Sequence, residues 1–108
     1  MRIKITSPGE YDRHEDEVRF SAQADGRFID VKITTYALFI IREALEMPAA
    51  EPLTIYAASG RLLEAVVKNV VQTTGELSPT YLVTHNDVLR VTGSSGEGNP
   101  HVPKIWKG

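Results

Sequence analysis

From Arg2 to Thr6 the chain alternates polar and apolar side chains with a period of two, the pattern of a strand with one buried face, and Ser7-Pro8-Gly9 ends it with turn chemistry. The charged run Arg13-His14-Glu15-Asp16-Glu17 has no apolar period and predicts a solvated loop. Alternation then returns in Val18, Phe20, Ala22 and Ala24, pauses at Asp25-Gly26, and resumes in Ile29, Val31 and Ile33. Asp-Gly suits a two-residue type I′ hairpin, because both central residues need positive φ. A two-residue loop fixes the register: Ala22 faces Ile29, Phe20 faces Val31 and Val18 faces Ile33. The other face then pairs Gln23 with Phe28, Ser21 with Asp30 and Arg19 with Lys32, a polar set facing water.

The period changes to 3.6 at Thr34-Thr35, where either hydroxyl suits an N-cap, and predicts a helix to about Met47, stopped by Pro48. Tyr36, Ala37, Leu38, Ile40, Ile41, Ala44, Leu45 and Met47 span about 200° of it, wider than one buried stripe, so cover on two sides is expected. Arg42, Glu43 and Glu46 form the wet side, and Phe39 projects among them as an exposed aromatic. A second helix is predicted from about Pro52 to Thr74, with Tyr56, Gly60, Leu63, Val67 and Val70 as its apolar stripe and Gly75 just past its end. Gly60 on that stripe implies a close backbone approach, a kink or a break into two helices. Tyr81-Leu82-Val83 reads as a last strand. Thr84-His85-Asn86-Asp87 fits a capping box opening a helical turn better than a loop into a strand from Val88 to Val91. The sum is an α+β domain over residues 1–92: a small antiparallel sheet, built as a β-meander, two helices and a final strand, with the helices packed on one face. Glycine, serine and proline from Gly93 to Pro100 predict a flexible C-terminal tail over residues 93–108.

The segment from Glu10 to about Val88 resembles the bacterial family known as domain of unknown function 1488 (DUF1488). The resemblance rests on Tyr11-Asp12, a short loop, Val18-x-Phe20-x-Ala22, the hairpin glycine Gly26, Ile29-x-Val31-x-Ile33 and a helix reaching Ala44-Leu45. It implies an antiparallel sheet with two helices on one face, and it implies no activity.

Composition adds exclusions. The 108 residues are 42% hydrophobic and 24% charged with a net charge of −2, so no global field draws the molecule to nucleic acid or anionic lipid. Without cysteine there are no disulfides, thiolate metal sites or cysteine nucleophiles. No apolar run approaches the roughly 18 residues of a membrane span, and the N-terminus lacks the apolar block of a signal peptide, so a cytoplasmic location is expected.

Candidate chemistry is sparse. His14-Glu15-Asp16 offers metal-ligand atoms, but adjacent residues on an extended loop point apart, and no cofactor is implied. His85 near Asp87 has the makings of an oriented base without an evident nucleophile. Gly93, Gly96 and Gly98 lack the Lys-Ser/Thr of a phosphate loop. These features favour a non-enzymatic protein-interaction or accessory module, working through an unknown protein partner or a weak homodimer, with Tyr36, Phe39 and Trp106 as contact residues. The alternative is nucleic-acid binding through the solvated sheet face, where Arg19, Arg27 and Lys32 lie near Phe28. An unrecognised enzyme is the third reading.

Overall fold

The computed structural model describes residues 1–75 and 78–93. In chain order the elements are β1 (Ile3–Ile5), β2 (Glu10–Asp12), β3 (Glu17–Ala24), β4 (Arg27–Thr34), α1 (Thr35–Ala44), α2 (Pro52–Thr74), β5 (Thr80–Val83) and α3 (His85–Thr92). The strands make one five-stranded sheet in the order β1-β3-β4-β5, and β2 pairs with β3 further along the β1 edge.

The hairpin follows its sequence register, with Ala22 opposite Ile29, Phe20 opposite Val31 and Val18 opposite Ile33. Asp25 (φ 51°) and Gly26 (φ 84°) take the two positive φ values that the tight turn requires. Period-two alternation therefore sends Val18, Phe20, Ala22, Ile29, Val31 and Ile33 into the core, joined by Ile3, Tyr81 and Val83 from the outer strands. The helices cover this face, while Arg19, Gln23, Phe28, Lys32 and Leu82 stand on the open one.

Three features depart from the sequence expectation. The sheet is mixed: β4 and β5 are parallel, with Val31 beside Tyr81 and Ile33 beside Val83. Residues 35–79 form the long crossover that parallel neighbours need. α1 ends at Ala44 and not Met47, because Glu46 enters the left-handed region (φ 56°) and the Arg42 guanidinium donates to the Met47 carbonyl at 3.0 Å. Gly60 is exposed, not part of the buried stripe, and it breaks α2 with φ 39° and ψ −118°. Beside the break, the Ser59 hydroxyl donates to the Tyr56 carbonyl at 2.6 Å.

The capping box is present: the Asp87 carboxylate accepts from the Thr84 N–H at 2.8 Å and from its hydroxyl at 3.1 Å, opening α3. Thr34 caps α1 by accepting from the Ala37 N–H at 3.1 Å. α1 is covered on more than one side, touching α2, α3 and β4, which buries Ala37, Leu38 and Ile41. Among the described residues no helix is long and apolar enough to cross a membrane.

Candidate functional site

Among the described residues the open sheet face carries no helix, and its charges fall into two groups. At the end away from the hairpin, Arg19 is held by Asp12 at 2.6 Å and by Glu17 at 3.3 Å, and Lys32 approaches the same Glu17 carboxylate at 4.0 Å. β2 brings Asp12 there by pairing with Glu17 across the strands. Asp12 also accepts the backbone N–H groups of Glu15 and His14; these bonds, the Glu15 one above all, hold its carboxyl below the usual aspartate value, with Arg19 adding to them. Arg19 and Lys32 are thus largely neutralised in place, and the His14 loop is an Asx turn.

At the hairpin end the balance differs. Phe28 is 71% exposed and lies across from Gln23. The β1–β3 register sets Lys4 beside Gln23, and the Arg2 N–H donates to the Asp25 carboxylate at 2.8 Å. Arg27 flanks the turn. Among the described residues, Arg2, Lys4 and Arg27 make no ion pair. The four residues read from the sequence as one face are therefore divided: Phe28 stays at the hairpin end of the open face, Arg19 and Lys32 belong to the Glu17 cluster, and Arg27, opposite buried Ala24 and in phase with Ile29, belongs to the helix-covered side of the sheet. Sequence reasoning missed Arg2 and Lys4, whose only signal was their polar phase in the first alternating strand.

Two concavities adjoin this face. One, of about 490 Å³, lies where the Ser7–Glu10 segment leaves the sheet and is floored by Arg19, Ser21, Asp30 and Lys32. The other, of about 550 Å³, is lined by Arg2, Lys4, Gln23, Asp25 and Gly26.

The second surface is the outer side of α1. Tyr36 is 56% and Phe39 43% exposed, one turn apart. Tyr36 lies on His85 of α3, ring centroids 4.4 Å apart and 35° between planes. Asp87, engaged by Thr84 and by an ion pair with Arg90, serves the helix start. Among the described residues no group of three or more His, Asp or Glu side chains is placed to hold a metal ion. Trp106, like the tail beyond Gly93, lies outside the described residues.

No family model matches the chain, and no curated protein does. A solved structure does: the crystal structure of a protein of unknown function from the DUF1488 family of Shewanella loihica PV-4, with a TM-score of 0.50 and 17% identity, over 76% of this chain and 91% of that one. The chain has a DUF1488-type fold. At this identity the likeness is one of architecture, so the surfaces above are described from this chain's own residues.

Proposed function

We propose that this DUF1488-like chain is a non-enzymatic interaction module that meets protein through the Tyr36–Phe39 edge of α1, in its simplest form by weak pairing of two copies. The observation that carries the reading is the exposure of both aromatic rings, 56% and 43%, on one side of a helix whose other sides are packed. Rings at i and i+3 share a face, and each has apolar area left to bury on contact. Association must also offset lost rigid-body freedom, so two half-exposed rings support a weak contact. The bacterial cytoplasm as its setting belongs to the same proposal, supported by a bacterial structural neighbour.

Sedimentation velocity over a concentration series tests the pairing. Wild type should sediment faster as concentration rises, and Phe39→Ser should remain monomeric. Two identical monomer profiles would remove self-pairing and leave contact with a different protein. Nucleic-acid binding centred on Arg19 and Lys32 has less support, because both cations already face Glu17.

A further inference from the structure

We propose that the hairpin end of the open sheet face binds single-stranded nucleic acid, with Phe28 as a stacking platform and Lys4 and Arg2 as phosphate contacts. This surface lies on the opposite side of the sheet from the helix layer and does not depend on the α1 reading.

The argument starts from an unusual residue in its place. Phe28 sits at the hairpin end of β4, a central strand, with 71% of its surface exposed. An apolar docking patch would continue into further apolar side chains. Here the next large apolar group on the face, Leu82, stands beside Lys32, and the Asp30–Thr80 pair lies between it and Phe28. The ring's neighbours on the face are the Gln23 amide across the hairpin, Asp30 two residues along β4 and, one strand further, Lys4. An isolated aromatic face with an amide beside it and cations one strand beyond matches the needs of an unpaired base: a flat surface to stack on, a hydrogen-bonding group at its edge, and positive charge for the backbone.

Charge supports the same occupant. Arg2 and Lys4 are outside every ion pair among the described residues, whereas Arg19 and Lys32 are paired. Two carboxylates lie near the cluster: Asp25, tied into the turn by the Arg2 N–H at 2.8 Å, and Asp30, exposed two residues along β4 on the same face as Phe28, so the phosphate path runs on the Lys4 side of the ring. The adjoining concavity, about 550 Å³ and lined by Arg2, Lys4, Gln23, Asp25 and Gly26, falls in the size range of small-ligand sites, about 300–1,000 Å³. Duplex would present no exposed base to Phe28, which favours single strands.

Fluorescence anisotropy with short labelled oligouridine and oligothymidine tests this; binding of either supports the site, and their ratio shows whether the 2′-hydroxyl is read. Affinity should fall between about 50 and 200 mM salt, with a logarithmic slope of about −1.4 for two phosphates on a single strand. Phe28→Ala should weaken binding about 5- to 100-fold and Phe28→Tyr should restore it. Lys4→Ala should make the salt slope shallower by about 0.7. Because Phe28 and Lys4 are exposed, these variants should keep the wild-type circular dichroism spectrum. Equal affinity for duplex, or an undiminished affinity in Phe28→Ala, would overturn the proposal, as would a larger loss from Arg19→Ala than from Lys4→Ala. Retention on heparin without oligonucleotide binding would also overturn it, leaving only a cationic patch.

Discussion

Gly9→Ala tests how the sheet is locked to the helix layer. Gly9 lies between β1 and β2 with φ +84°, and a Cβ there would come within 2.7 Å of Tyr56 Cε2 and 2.9 Å of Cδ2. The ring has little room to yield: its hydroxyl donates to the Ser7 carbonyl at 2.6 Å, and its other neighbour is Phe20, centroids 5.0 Å apart. Burial of Tyr56 raises its phenol above the ordinary value, which agrees with a confined side chain. Left-handed backbone strain contributes about 1 kcal/mol or more and overpacking about 1–3 kcal/mol, for a loss of about 2–4 kcal/mol. In a domain of this size that lowers the melting temperature by about 10–25 °C. Urea and thermal unfolding followed by circular dichroism should be run beside Gly26→Ala, where φ is also +84° but no atom lies within 4 Å of the added Cβ. That substitution should lose only the backbone part, about 1 kcal/mol. Equal losses at the two glycines would refute the wedge between Gly9 and Tyr56. Combining Gly9→Ala with Tyr56→Leu should recover part of the loss, since the two residues share one space.

Three further outcomes are expected. Gly26→Val should destabilise by about 1 kcal/mol or more in urea unfolding, because a β-branched residue resists the positive φ of the turn. Asp87→Ala removes the acceptor of the Thr84 N–H and hydroxyl at the start of α3, so it should lower stability by about 1 kcal/mol, with amide exchange fastest at Thr84 to Asp87. Asp12 has a folded value below its ordinary 3.8, so its contribution is fully present above that value and is lost as pH falls through the lower folded one. The stability gap between wild type and Asp12→Asn should therefore be constant from about pH 6 to 5 and close below about pH 3; a gap that widens in acid would contradict this sign.

The hairpin was legible in the sequence because its determinants are local. Asp25-Gly26 sets the loop, the loop sets the register, and period-two alternation then assigns every side chain of β3 and β4 to a face. A cap at Thr34 or Thr35, which the structure places at Thr34, the Thr84–Asp87 box and the Gly75 stop, where φ is 82°, were readable for the same reason. The direction of β5 was not: Tyr81 and Val83 alternate identically in a parallel or an antiparallel strand, and only the path of residues 35–79 decides between them. Nor does a 3.6-residue period register one non-helical residue, so the sequence left Gly60 open and packing resolved it as the break in α2. Charge behaved likewise. Arg19 and Lys32 look like free cations along the chain until β2 brings Asp12 across and Glu17 settles between them. Arg2 and Lys4 look unrelated to Phe28 until β1 aligns with the hairpin end of β3. Periodicity and turn chemistry are properties of neighbouring residues, whereas strand direction and the pairing of distant charges depend on which elements the closed fold makes adjacent.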